Sequence, residues 1–412
     1  MTSTAEPATT LPVPGAERYV VISADCHAGG NHEMYRAYLE DRYLEDFDRW
    51  RQAYRNPFKD LTSSTRDRNW NDERRIGELE ADGIVAEVVF PNTIPPFFPT
   101  GAVVARPPRR DEYELRLAGL RAHNRWLADW CAAYPERRAG IGQIFVNDLD
   151  DAVDDVRWCA EHGLRGGILL PQIPDDMDLD PLFSPVYDRL WAVCQELGVV
   201  VNTHSGGSGM PDYGPSAAGG QLWLIEQTFY ARRPLSHLLI GGVFERFDGL
   251  RLVLAEQGAA WVPPLLAQLD GYHDHIVAHG RIGELRYQPE DVTPRRPSEY
   301  FARNCWVSAS FPSPVEAGAR HAIGVDRFMW GSDYPHDEAT FPHTREALRR
   351  SFADAPEAEL RQILATNAAE VYGFDLAALA PLAARVGPTV AEVAVPYRGV
   401  PEGNRSPAFV RP

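Results

Sequence analysis

The sequence predicts an α/β fold, a (β/α)8 TIM barrel with an insertion after the first strand and a C-terminal extension. Three observations predict it. Eight short, apolar, buried-type runs alternate with helical patterns, as a parallel sheet requires. Eight such units favour a closed barrel over an open doubly wound sheet, and no GxGxxG follows the first strand to argue for a dinucleotide fold. Several runs end on an acid or an imidazole, and the C-terminal mouth of the strands is where a parallel barrel keeps its chemistry.

The elements follow in order. Residues 1–17 lack the charged-then-apolar layout of a secretory signal and read as a disordered leader. The first strand is 18–25, ending in Asp25-Cys26-His27. Residues 31–71, rich in Tyr, Arg, Asp and Trp, are too long for a simple barrel connection and read as an active-site insertion. Residues 73–81 form a short helix, 84–90 the second strand, 94–108 a Pro-rich loop and 112–134 an amphipathic helix. The third strand is 139–146, and an Asn147/Asp148 cap opens a helix over 148–162. Strand 166–171 and helix 185–197 lead to the fifth strand, 199–203, which runs into His204. A Gly/Ser/Pro loop (205–220) precedes a helix over 221–245. The sixth strand is 250–256, followed by a helix over 259–272. The seventh is Cys305–Ser310, with a helix over 315–323. The eighth, 327–330, runs into Gly331-Ser332-Asp333, and Pro335 ends its pairing. Helices over 342–352 and 357–372 complete a barrel domain spanning 18–375. The extension, 376–412, opens with an Ala/Leu helix and then wraps the surface or an oligomer partner.

Composition removes several functions. The chain of 412 residues is long enough to bury a sizeable core. Its net charge of -17, from 41 basic and 58 acidic residues, argues against a nucleic-acid or anionic-membrane partner, either of which needs a basic face. No run is long and apolar enough to span a membrane. The five cysteines are scattered, odd in number and free of CxxC spacing, which suggests no disulfide framework and a reducing cytoplasm.

The strand ends gather Asp25 and His27 at the first strand, His204 at the fifth, Glu256 at the sixth and Asp333 at the eighth. In a barrel all of these face one mouth. Asp25 and His27 are two apart on extended backbone, so both side chains point the same way. Carboxylate and imidazole together suit a borderline divalent ion such as zinc, manganese or iron(II). Each residue has a plain structural alternative: a strand-end His that is merely hydrogen-bonded, or an Asp333 that caps the next helix. The set together is what points to a metal. His336, three residues after Asp333, either touches substrate or caps a helix. Arg232 and Arg233 either pair with an anionic substrate or are solvated. Cys26 falls on the opposite face of its strand and reads as packing. Ser205 and Ser208 lack G-x-S-x-G and a His–Asp pattern, so serine hydrolysis is not expected.

The first-strand D-x-H, VVVNTHSGGSG at the fifth strand, GGVFERFDGLRLVLAEQGAAWVP around the sixth, and FMWGSDYPH with TNAAEVYGFD at the end resemble the amidohydrolase-related group of the amidohydrolase superfamily. That group includes aminocarboxymuconate semialdehyde decarboxylase, resorcylate-type decarboxylases and numerous hydrolases. The resemblance implies a (β/α)8 barrel holding one catalytic divalent metal, with Asp25, His27, His204 and Asp333 at the ligand positions. Asp25 stands where several members have His or Glu. One departure matters. Family decarboxylases carry a His just after the sixth strand, in a setting like A-H-x-G, and here the chain reads Ala255-Glu256-Gln257-Gly258. A Glu is anionic by default and would repel a substrate carboxylate; it either shuttles protons itself or orients a ligand His.

These readings combine into an expected cytoplasmic, metal-dependent hydrolase of a small organic amide, ester or lactone. One divalent ion, zinc first with manganese or iron as alternatives, would bring its bound water to a pKa of about 7. Asp333 would be ligand and general base, with Glu256 as the second catalytic group and His336 and Arg232 facing substrate. The runner-up is a non-oxidative decarboxylase of a small aromatic or unsaturated acid, in which Asp333 gives a proton to the ring carbon. A barrel that binds ligand without chemistry is the third reading. Family habit suggests a homodimer.

Overall fold

In the computed structural model, residues 17–55, 66–206, 209–211 and 213–411 are described. The expected leader, apart from Glu17, and Ser208 lie outside them. Eight parallel strands run in sequence order: β1 (Ile22–Ala28), β2 (Ala86–Pro91), β3 (Arg138–Gln143), β4 (Gly167–Leu169), β5 (Val201–His204), β6 (Leu252–Ala255), β7 (Cys305–Ser310) and β8 (Phe328–Gly331). The seam between β8 and β1 is closed just past the end of β8. Asp333 N–H donates to Asp25 O at 2.8 Å, and His27 N–H donates to Tyr334 O at 2.7 Å. The (β/α)8 barrel expected from the strand count is the fold.

The strands are apolar on both faces because both are covered. Outward residues such as Val89, Val201, Leu252 and Val307 pack under the helices in one large cluster. Inward residues such as Ile22, Val88, Ile141, Val253 and Met329 form a second cluster, which the helices Asn367–Tyr372 and Leu376–Val386 join from below through Val371, Tyr372 and Leu379. The Tyr372 hydroxyl reaches Asn202 Oδ1 at 2.8 Å. The start of the extension therefore covers the barrel floor and leaves the mouth for chemistry.

The structure differs from the sequence reading where pairing is non-local. β1 begins later than expected and runs on through His27, because Arg18 bridges Thr389 and Tyr19 N–H donates to Pro388 O, tying this stretch to the extension. A register shift between Ser23 and Cys26 places a bulge in β1, a device that re-aims side chains. Cys26 duly faces the outer cluster, against the Ser332 hydroxyl. The helix expected over 221–245 is three helices, Ala217–Ala231, Arg233–Ile240 and Val243–Arg246, broken near Pro234 and at Gly242, where φ is +66°. Among its described residues, the insertion carries two α-helices, His32–Arg36, capped by the Asn31 side chain, and Leu44–Ala53.

Candidate metal centre and active site

Asp25 and His27 on β1, His204 closing β5, Glu256 just beyond β6 and Asp333 beyond β8 meet at the barrel mouth. His27 Nε2 lies 3.5 Å from Asp25 Oδ1 and 3.2 Å from Asp333 Oδ1. His204 Nε2 lies 3.5 Å from Asp25 Oδ1 and 3.3 Å from Glu256 Oε2. The two imidazoles meet edge to face, 4.9 Å apart. Four atoms of this group, Asp25 Oδ1, His27 Nε2, His204 Nε2 and Asp333 Oδ2, are buried without a hydrogen-bond partner of good geometry. Buried polar atoms are ordinarily satisfied, so four orphans on residues that meet at one mouth call for a common partner. Two imidazole nitrogens and two carboxylate oxygens fit a divalent cation.

The far side of each group is tied down. His204 Nδ1 donates to Ser205 O at 2.7 Å, which leaves its Nε2 lone pair for the centre. Asp25 Oδ2 accepts from the Ser310 hydroxyl. Asp333 Oδ1 accepts from His336 Nδ1 at 2.8 Å, and His336 Nε2 faces Asn92 Oδ1 at 3.1 Å. Asn92 in turn donates from Nδ2 to Asn69 Oδ1 at 2.6 Å. Both His336 nitrogens thus meet acceptors, the arrangement of an imidazolium. Arg75, wholly buried in the helix Asp72–Ala81, pairs with Glu87 and donates from Nη1 to His27 O at 2.8 Å, fixing the ligand strand from behind.

Backbone strain gathers at the same place. Glu256, Phe311 and Asp333, each just past the end of β6, β7 or β8, have φ of +52°, +38° and +64°. Non-glycine residues seldom adopt this region, and where they do a site often demands it.

The electrostatics are mixed. Burial, aided by the charge of His336, pushes His27 down to about 4. Burial also opposes a charged His204, but the carboxylates of Asp25 and Glu256 close to its ring win, lifting it to about 9. Glu256 is pushed up to about 8 by burial and by Asp333. Burial works against the Asp333 carboxylate as well, yet His336 and His27 hold it well below the usual range, and Asp333 in return raises His336 to about 10. Strong shifts in opposite directions within one cleft mark a candidate functional site.

All seven residues singled out from the sequence can thus be placed. Asp25, His27, His204, Glu256, Asp333 and His336 come together, with Glu256 also held by the Ser205 hydroxyl at 2.8 Å. The Arg232 guanidinium donates to Gln257 O, next to Glu256, at 3.0 Å and lies over Trp261. Arg233 pairs with Asp175. Sequence reasoning missed Ser310, Asn92, Asn69 and Arg75. Ser310 carried a signal, since it ends a strand as the ligands do; the others carried none.

Residues 25–374 match the family model described as amidohydrolase. The chain belongs to the amidohydrolase family. Among its amidohydrolase relatives, gamma-resorcylate decarboxylase of Rhodococcus jostii is 27% identical over 286 residues, covering 66% of this chain and 81% of that protein. The 2-amino-3-carboxymuconate-6-semialdehyde decarboxylase of Dictyostelium discoideum is 24% identical over 316 residues, 74% of this chain and 77% of that protein. The 5-carboxyvanillate decarboxylase of Novosphingobium aromaticivorans, solved with manganese and 4-hydroxy-3-methoxy-5-nitrobenzoic acid, shares the fold with a TM-score of 0.62 at 21% identity, over 89% of this chain and 100% of that one.

These relatives correct the expected reaction. The hydrolase expectation does not hold, because the aligned amidohydrolase relatives are named decarboxylases. The error came from weighting one position, Glu256 in place of His, against decarboxylation. The Asp–His–His–Asp set itself serves a metal-bound water or a metal-bound carboxylate equally well, so it does not encode the reaction. That the protein is an enzyme stands.

Proposed function

We propose that this amidohydrolase-family enzyme is a non-oxidative decarboxylase of a small hydroxylated aromatic or unsaturated carboxylic acid. The observation that carries the reading is that relatives aligned over 66% and 74% of the chain are named as decarboxylases of such acids. The four orphaned atoms support dependence on one divalent metal, held by Asp25, His27, His204 and Asp333. Zinc, expected from the sequence, and manganese, present in a solved neighbour, both suit two carboxylates and two imidazoles. When bound, the ion supplies the positive charge that receives the substrate carboxylate and its neighbouring hydroxyl.

The chain's own residues move the proton. As the bond from ring carbon to carboxyl breaks, its electron pair stays on the ring carbon and carbon dioxide leaves. Asp333 delivers a proton to that carbon. A carboxylate held so acidic needs a source, and His336, 2.8 Å from its Oδ1 and protonated at neutral pH, supplies it. Burial pushes the Glu256 carboxyl up to about 8, which weakens the repulsion that an ordinary Glu would offer the incoming carboxylate. Substrate selection we assign to the insertion: a cavity of about 690 Å3 lined by His32, Arg51, Tyr54, Arg66 and Asn69 adjoins the mouth, and Asn69 reaches His336 through Asn92.

The test is metal analysis followed by carbon dioxide release from a panel of hydroxybenzoates and unsaturated dicarboxylates, with wild type beside His204→Ala. We expect one metal per chain and turnover of at least one panel acid, both lost in the variant. A fully metal-loaded wild type that decarboxylates nothing on the panel would count against the reaction; a chain that takes up no metal would count against the site.

A homodimer belongs to the same reading. The helix Ala217–Ala231 leaves Leu222, Leu224, Ile225 and Phe229 exposed, an apolar face of the kind that oligomers bury. Light scattering should give twice the chain mass, and Ile225→Glu should halve it; an unchanged mass in the variant would place the interface elsewhere. All five cysteines are free and buried, which supports the cytoplasm. Among the described residues, no helix is long and apolar enough to cross a membrane.

A further inference from the structure

Beside the metal centre, the loops after β2, β3 and β4 enclose a second cavity of about 1010 Å3, with Thr100, Arg116 and Asn147 in its wall. Two aromatic rings lie between it and the chemistry. Phe98 and Phe145 line the narrow crevice at His204 and stack with centroids 5.8 Å apart. The Arg116 guanidinium lies on them, 4.5 Å and 5.4 Å from their centres. Arg116 is only 3% exposed, and its Nε and Nη2 have no acceptor. The Thr100 hydroxyl and Asn147 Oδ1 in the same wall are likewise buried and unpartnered.

A guanidinium taken out of water is normally paired, because its lost solvation is otherwise uncompensated. Three of the four acids lining this cavity are engaged elsewhere. Asp176 pairs with Arg106, Asp148 caps the helix Leu149–Glu161, and Glu112, the one acid whose charge reaches Arg116, accepts the Arg109 backbone N–H at 2.9 Å. Asp178 also lines the cavity and forms no ion pair with Arg116. The two unpartnered donors lie on one edge of the guanidinium, where Nε–H and Nη2–H run parallel and match the two oxygens of a carboxylate; both are buried, so a ligand reaches them by a small shift of the surrounding side chains. Val104, Met177 and Leu179 supply apolar wall for a carbon body.

We propose that this cavity is a second ligand site, separate from the metal centre, which binds a small apolar carboxylate through a bidentate pair with Arg116. The site holds its ligand one aromatic layer away from His204.

Benzoate is the probe. Calorimetric titration of the metal-loaded wild type should show two benzoates per chain. Arg116→Met, uncharged and of similar volume, should keep the benzoate at the metal centre and bind the other at least tenfold more weakly. Because the variant removes an unpaired buried charge, it should melt no lower than wild type without ligand, and benzoate should raise its Tm less. Arg116→Lys, which keeps the charge and loses the fork, should also bind weakly. In His204→Ala the metal-site benzoate should be lost and the second retained, so the outcome does not depend on the decarboxylase reading. The proposal is overturned if Arg116→Met binds benzoate with wild-type stoichiometry and affinity, or if His204→Ala binds none. Should Arg116→Met fail to fold, Thr100→Val in the same wall decides: weaker second-site binding supports the site, and unchanged binding overturns it.

Discussion

In the proposed reaction Asp333 has two jobs at once, ligand and proton carrier. Its Oδ1 lies 3.2 Å from His27 Nε2 and accepts from His336 Nδ1, while Oδ2 is buried without a partner. Asp333→Asn keeps an oxygen for the ion and removes the group that can pass a proton. Its kcat should therefore fall about 10²–10⁴-fold with metal content unchanged, the size expected for losing a positioned acid. Metal analysis beside steady-state turnover checks this, and a variant that keeps both metal and rate would remove Asp333 from the proton path. The candidate cluster was legible because each member announces itself locally: an acid or imidazole at the end of an apolar run. What holds the set was not. Ser310 grips Asp25 across 285 residues of chain, and Asn92 meets His336 across 244, separations at which nothing in the sequence couples one residue to the other. Glu256 shows the converse failure, a residue correctly located and wrongly weighed, because its charge depends on burial that the chain alone does not reveal.

The elements were legible in kind and less so in extent. β7 falls on the expected residues, since six consecutive buried positions between a helix and a Pro-marked turn leave no choice. β1 slid because its pairing is decided by partners distant in sequence and by a bulge. The helix Asp72–Ala81 looked unremarkable yet anchors the site, through Arg75 on His27 O and through Glu78, which accepts from the Tyr334 hydroxyl beside Asp333. At its C-terminus, Asp82 makes the next link. Its Oδ1 accepts the Thr344 N–H at 3.1 Å, where the helix Thr344–Phe352 begins, while Oδ2 is buried without a partner. Burial raises this carboxyl from 3.8 to about 7. Between those values the folded chain keeps a proton that the unfolded chain has released, so stability falls as pH rises through the window and the full penalty stands above it. Asp82→Asn keeps the Oδ1 acceptor and cannot ionise. Its Tm relative to wild type should climb between about pH 5 and about pH 8 by the equivalent of ~1 kcal/mol or more. A difference that stays flat across that range would mean Asp82 bears no such penalty.

At the scale of the whole molecule, the candidate ligands tie opposite sides of the barrel together. Asp25 and His27 come from β1, Asp333 from beyond β8 across the closing seam, and His204 from β5 on the far side. Without an ion these strands bring two carboxylates and two buried imidazoles to one point, with Glu256 adding a third acid at the rim. A cation that binds only the folded barrel would stabilise all of it at once, by about 4 kcal/mol when free metal exceeds its dissociation constant a thousandfold. For a chain of this size that corresponds to a Tm rise of several degrees. Chelator-stripped protein should therefore melt earlier and regain its Tm with added manganese or zinc, while His204→Ala should melt at one temperature with or without either ion. The comparison also separates a metal at the mouth from one elsewhere on an acidic surface, because surface binding would shift both proteins alike. Equal shifts in wild type and His204→Ala would move the ion away from the strand ends, and the decarboxylase reading would then have to stand without a metal.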